Sequence, residues 1–194
     1  MPLTTLDSNT AVIVIDLQKG IVNGNFIHPI GDIIDRTRAL VDFFRAKNLP
    51  VVLVNVAGRA PGRTEQGPRS NPSLSEGWTD LLPQLDQQPN DIIVTKRSWG
   101  AFATTDLERQ LKARGVTQVV VTGVATSVGV EATARQAYEQ GFNVTLALDA
   151  MTDIREEAHE YSFANVFPRL GETGSTQEII SLLERLLEER SSAL

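Results

Sequence analysis

Three places in this chain hold residue types that can run hydrolysis if the fold brings them together. Asp16 closes the apolar run "AVIVID" at 11–16, Lys96 closes "DIIVTK" at 91–96, and the small-residue stretch "GVATSVG" at 123–129 follows directly on "TQVVVTG". A carboxylate moves protons. An ammonium beside it tunes its acidity or neutralises developing charge, and the free N–H groups at a helix start hold an oxyanion. A sharp turn between strand and helix also pushes one side chain into the mouth of a site. The position where that side chain is expected is Gly129, and the chain contains no cysteine. Ser127 is the nearest hydroxyl, and a serine at a helix start is expected to cap the helix rather than to attack a substrate. Gly129 has two readings, tight packing of the helix start or room for water or substrate, and the residues alone do not choose between them.

Positioning these groups takes alternating strands and helices. "AVIVID" and "PVVLVNV" (50–56) are short continuous apolar runs rich in β-branched residues, which read as strands buried on both faces. "DIIVTK", "TQVVVTG" and "FNVTLALDA" (142–150) follow as strands three to five, and "LGETGS" holds a short sixth. Between them lie helical stretches. "IGDIIDRTRALVDFFRAKN" puts apolar residues at 33, 34, 40, 41, 43 and 44. "TDLERQLKARG" opens with a capping box from Thr105 to Glu108 and stops at Gly115. A further helix is expected from about 127 to 140, "EEAHEYSFANVF" reads as another, and "TQEIISLLERLLEER" is an amphipathic terminal helix. This alternation predicts an α/β fold, an open doubly wound parallel sheet with helices on both faces. Ligands in such sheets sit at the carboxyl ends of the strands. Asp16, Lys96 and the turn at 124–129 all fall there.

With 194 residues, 41% of them hydrophobic, one domain spanning 1–194 can bury a sizeable core. A net charge of -6 argues against nucleic acid or an anionic membrane as a partner, because those surfaces select clustered Lys and Arg. No apolar run approaches the roughly 20 residues that span a bilayer. The opening "MPLTTLDSNT" has neither the basic start nor the apolar stretch of a secretory signal, so a cytoplasmic protein is expected. Without cysteine there are no disulfides, thiolate metal sites or thiol catalysis.

"VIDLQKGI" at 14–21, "VTKRSWGAFATTDLERQL" at 94–111 and "VTGVATSVGVEATARQAYEQGFNVTLALDA" at 121–150 resemble the isochorismatase-like hydrolase family, which includes isochorismatases, nicotinamidases and N-carbamoylsarcosine amidases. The resemblance runs through nearly the whole chain. It implies six parallel strands in the order 3-2-1-4-5-6, a homodimer or larger homo-oligomer, and a catalytic Asp–Lys–Cys triad. Asp16 and Lys96 take the first two places. The third, within a motif of the form G-V-x-T-x-x-C-V-x-x-T-A, falls on Gly129, so the chain is similar to a Cys-free branch of the family. The same resemblance implies a cis peptide between Val124 and Ala125, an anion hole built from the N–H groups of Ala125 and Gly129, and a pocket bordered by Trp99, Phe102, Phe26 and Gln18. Amidases of the family attack with the thiolate, which glycine cannot replace. Isochorismatases cleave a vinyl ether by proton donation from the Asp, without that thiol.

Arg59, Arg63 and Arg69 lie in the long loop "AGRAPGRTEQGPRSNPSLSEG" (57–77), where they either bind a substrate carboxylate or stay solvated. Nicotinamidases of the family carry an Asp and two His after the second strand. Here that stretch is "VNVAGRAPG", and His28 and His159, the only histidines, are far apart in sequence. No metal and no other cofactor is therefore expected, and no phosphate-binding glycine motif is present. The expectation is a small-molecule hydrolase with Asp16 as proton-transfer group and Lys96 as its partner. The alternative is a catalytically inactive descendant that binds a small molecule or serves as an assembly subunit.

Overall fold

A computed structural model describes residues 3–65 and 74–192. The elements in chain order are β1 (Thr10–Ile15), α1 (Ile30–Ala46), β2 (Val51–Val56), β3 (Ile92–Lys96), α2 (Leu107–Ala113), β4 (Gln118–Val124), α3 (Glu131–Glu139), β5 (Asn143–Thr152), α4 (Glu156–Tyr161), β6 (Glu172–Gly174) and α5 (Thr176–Ser192). The six strands form one sheet in the order β3-β2-β1-β4-β5-β6, and every pairing is parallel. This is the doubly wound α/β sheet that the alternating pattern and the family resemblance imply. Among the described residues no helix is long and apolar enough to cross a membrane.

Successive side chains of a strand point to opposite faces, so a strand with a helix on each side must be apolar at every position. β1 and β4 are buried throughout. Ile13, Ile15, Val119 and Val121 pack with Leu107 and Leu111 of α2 and with Ala134 and Ala137 of α3. Val12, Val14 and Val120 pack the other way, against Leu40 and Phe44 of α1 and Ile179 and Leu183 of α5. The edge strand β3 is covered on one face only. Ile92, Val94 and Lys96 turn inward while Ile93 and Thr95 turn out, so the parity that buries two apolar residues also buries a lysine.

Local details depart from the sequence reading in two helices. The capping box is not formed: the Leu107 N–H donates to the Thr105 hydroxyl at 3.2 Å, and Glu108 pairs with Lys112 instead of reaching back. The stretch 156–167 is not one helix. α4 ends at Tyr161, a π-helical turn covers Ser162–Val166, and a 3-10 turn covers Phe167–Arg169. Pro168 has no N–H to offer an α-helix and disfavours helical geometry in the residue before it.

Gly123 is required by the sheet itself. Its φ is +111°, and a Cβ there would stand 2.2 Å from the Ile15 carbonyl oxygen. β4 can therefore run against the end of β1 only if this residue is glycine. The next residues carry the turn that faces Asp16.

Candidate active site

Asp16 follows the last residue of β1, in the middle of the sheet. Its φ is +53°, a left-handed conformation that costs a non-glycine residue roughly 1–2 kcal/mol and that Asp and Asn tolerate better than most. Two main-chain bonds hold the chain there: the Asp16 N–H donates to the Val54 carbonyl at 2.9 Å, and the Gln18 N–H donates to the Asp16 carbonyl at 2.9 Å. Lys96 ends β3, on the far side of β2 from β1. Its side chain passes the end of β2, and Nζ donates to Asp16 Oδ2 at 2.8 Å. Nζ also donates to the carbonyls of Trp99 at 2.8 Å and Ser98 at 3.3 Å. Three acceptors use all three hydrogens of an ammonium. Lys96 is therefore anchored, and it has no spare donor for a second anion.

Both members of the pair are buried. Burial raises the Asp16 carboxyl from its ordinary 3.8 to about 6, against the opposing pull of the Lys96 charge and hydrogen bond. Oδ1 is buried and makes no hydrogen bond among the described residues. The carboxyl thus has one oxygen held by the cation and one with no hydrogen-bond partner among the described residues.

Facing it is the turn at 124–130. The Val124–Ala125 peptide is cis. A π-helical turn, Thr126–Val130, leads into α3, and the Ala125 carbonyl accepts the N–H groups of Val128 and Val130. The backbone φ of Gly129 lies outside the left-handed region, so a side chain there is not excluded by conformation. Space is the obstacle. A Cβ on Gly129 would stand 2.8 Å from Ile15 Cγ2, 3.2 Å from the Val124 carbonyl oxygen and 3.3 Å from Asp16 Oδ2. Of the two readings of Gly129, close packing has the geometry behind it. Ser127 offers its N–H, not its hydroxyl, to this arrangement: the N–H donates to Asp153 Oδ2 at 2.7 Å.

Asp16, Lys96, Ala125 and Gly129 all line one cavity of about 960 Å³. Phe26, Trp78, Trp99 and Ile154 border it. Trp99 is 68% exposed, so its ring faces an open mouth. Arg59 and Arg63 also line the cavity, while Arg69 lies outside the described residues.

Two residues expected at the pocket lie elsewhere. Phe102 is buried in the core, its ring centroid 5.9 Å from that of Phe142. The main chain explains this: Thr133 and Gln136 of α3 accept the N–H groups of Ala101 and Phe102 at 3.1 and 2.9 Å, which turns Phe102 under the helix. Gln18 is fully buried and spends its amide on the fold. Its Nε2 donates to the carbonyls of Val56 and Trp78, and its Oε1 accepts the Val56 N–H.

Sequence reasoning missed Trp78, Asp153 and the meeting of the two histidines. Trp78 stands at the end of a loop with no periodicity to place it. Asp153 is buried just past β5 and accepts the N–H groups of Ser127, Ile154 and Arg155. Its only signal was a polar residue following an apolar strand. His28 and His159 pack with ring centroids 5.0 Å apart. Among the described residues no group of three or more His, Asp or Glu side chains is placed to hold a metal ion.

The isochorismatase domain family matches residues 10–178. The isochorismatase family protein YwoC of Bacillus subtilis (strain 168) is 38% identical over 177 residues, covering 88% of this chain and 92% of YwoC. YecD of Escherichia coli O157:H7, described in the same words, is 39% identical over 180 residues, covering 90% of this chain and 96% of YecD. A solved isochorismatase family protein from Burkholderia thailandensis superposes with a TM-score of 0.87 at 39% identity, over 93% of this chain and 98% of that one.

Proposed function

The chain belongs to the isochorismatase family, and from that premise we propose that it hydrolyses a small molecule without a thiol, Asp16 carrying the proton and Lys96 holding Asp16 in place. The observation that supports this most is the state of the Asp16 carboxyl. It sits in the cavity with one oxygen on Lys96 and the other without a hydrogen bond among the described residues, and its pKa is raised to about 6. A proton-transfer group works best when both of its forms are populated near the working pH.

Two bond types suit this group. For a vinyl ether, Oδ1 gives its proton to the alkene carbon, leaving an oxocarbenium ion and the Asp16 carboxylate. Water adds to the cation and returns a proton to Asp16, and the resulting hemiketal breaks into an alcohol and a ketone. For a C–N bond, the carboxylate takes a proton from the attacking water, the N–H groups of Ala125 and Gly129 hold the oxyanion, and collapse of that intermediate breaks the C–N bond as Asp16 returns the proton to the leaving nitrogen, releasing an acid and an amine. Neither route uses a side chain at position 129. Phe26 and Trp99 would flank the apolar part of the substrate, and Arg59 and Arg63 suit a carboxylate on it.

The test is a screen of isochorismate, amides and ureido compounds, run beside Asp16→Ala. Turnover of one class that falls by on the order of a hundredfold to ten-thousandfold in the variant supports the proposal. Both tryptophans of the chain line the cavity, so binding is also read by their fluorescence. Ligands that quench it with no turnover would instead make the protein a non-catalytic binder. The family resemblance adds a homodimer or larger assembly, and a monomer by light scattering would contradict that without touching the chemistry.

A further inference from the structure

Beneath the turn that faces Asp16 lies a second cluster, which the chemistry above does not use. His159 of α4 is buried, and its Nδ1 is 2.8 Å from the hydroxyl of Thr126, the first residue of the turn. Its ring lies 4.2 Å from the Phe163 ring and 5.0 Å from that of His28. His28, exposed in the segment before α1, is tied to the end of β5: its N–H donates to Thr152 Oγ1 at 3.2 Å and its Nδ1 is 3.1 Å from the same oxygen. One residue on, Asp153 holds the Ser127 N–H. The cluster therefore grips Thr126 and Ser127, which start the π-helical part of the turn, between Ala125 and the cavity-lining Val128 and Gly129.

The direction of the Thr126 bond follows from where its hydrogen can go. The Thr126 hydroxyl is fully buried, and His159 Nδ1 is its partner among the described residues. A buried hydroxyl hydrogen needs an acceptor, so Nδ1 accepts and the ring is neutral. A proton on Nδ1 turns that acceptor into a donor and leaves the Thr126 hydrogen without one.

We propose that His159 is a positioning residue for the turn, that taking up a proton makes it release Thr126, and that His28, whose ring packs against it, adds to burial in fixing the acidity at which this happens. Among the described residues, the titratable groups facing His159 are His28 and Asp153. The Asp153 carboxylate accepts the N–H groups of Ile154 and Arg155 on Oδ1 and that of Ser127 on Oδ2, so an imidazolium drawing on Oδ2 would share it with Ser127. Glu131, at the start of α3, is paired with Arg135 and accepts the Ser162 hydroxyl. Burial first, and the field of His28 second, hold the His159 imidazole below the usual histidine range, against Asp153. Acid therefore loosens the wall opposite Asp16 by a route separate from protonation of Asp16 itself.

The test is hydrogen exchange of the amides at 124–130, corrected for intrinsic rates, between about pH 7.5 and about pH 5. Protection is expected to fall about tenfold in the natural protein and equally in Asp16→Asn. His28→Gln, at an exposed site, should move the transition to higher pH, because the repelling charge is gone. His159→Gln should abolish it. The chain has only two imidazoles, so NMR follows each directly, and the His159 midpoint should rise in His28→Gln whether or not the His159 variant folds. Protection independent of pH, a transition that survives in His159→Gln or disappears in Asp16→Asn, or an unmoved His159 midpoint would each overturn the proposal.

Discussion

Lys96 Nζ donates to Asp16 Oδ2 at 2.8 Å across the end of the intervening strand β2, and the same nitrogen is held by the carbonyls of Ser98 and Trp99. A lysine is long enough to make that crossing from β3. Anchoring its other two hydrogens leaves it one task, to keep a buried carboxylate in place.

Lys96→Met should therefore be costly. It leaves Asp16 buried without its cation, and breaking a buried pair by removing one partner costs about 3–5 kcal/mol. The Asp16 pKa should rise above about 6, because the interactions opposing burial are those with Lys96. Urea unfolding and the pH profile of any activity report the two effects. A loss below about 1 kcal/mol would show that the pair contributes as little as an exposed one.

Stability should carry the mark of Asp16 in a defined pH window. Its carboxyl titrates near 6 in the folded protein and at 3.8 ordinarily, so between these values the folded state holds a proton that the unfolded state has lost. The contribution of this group then grows as pH falls from 6 towards 3.8, by roughly 3 kcal/mol in all. Urea midpoints of the natural protein and Asp16→Asn, compared across that window, should diverge in that direction. Parallel curves would place the Asp16 pKa near its ordinary value.

Gly129→Ala should destabilise by about 1–3 kcal/mol through overpacking, since its Cβ meets Ile15 Cγ2 at 2.8 Å and backbone conformation is not the obstacle. The penalty should shrink when Ile15→Ala is added, and a double-mutant cycle reads that coupling. Additive losses would mean that the Val124 carbonyl, not the Ile15 methyl, sets the limit.

Trp99 and Phe102 should separate cleanly. Phe102→Ala removes a core ring and should cost about 3–5 kcal/mol of stability. Trp99→Ala, at an exposed position on the cavity, should change stability by about 0.5 kcal/mol or less and raise KM. The opposite pattern in denaturation and kinetics would put Phe102 back at the pocket.

The stretch "SWGAF" shows where reading the chain stops working. Both aromatics have the same local signal, and neither sits in a periodic element. Thr133 and Gln136 of α3, far along the chain, decide that one ring goes under the helix and the other to the mouth. His28 and His159 are a second case, since contact between them depends on how the segment before α1 lies against the end of β5.

What the amino-acid order determined alone is the architecture and the residue types at the strand ends. Strands covered on both faces must be apolar at every position, amphipathic helices must show one face, and glycines and prolines mark where each element stops. These are local requirements, so they are written in consecutive residues. Tertiary structure alone decided that the Lys96 ammonium meets Asp16, that a Cβ at position 129 would crowd Ile15, and that the Asp16 carboxyl is raised to about 6. Acidity and free space depend on every atom around a group, and here those atoms come from β1, β3 and the turn after β4, which are neighbours only once the sheet has formed.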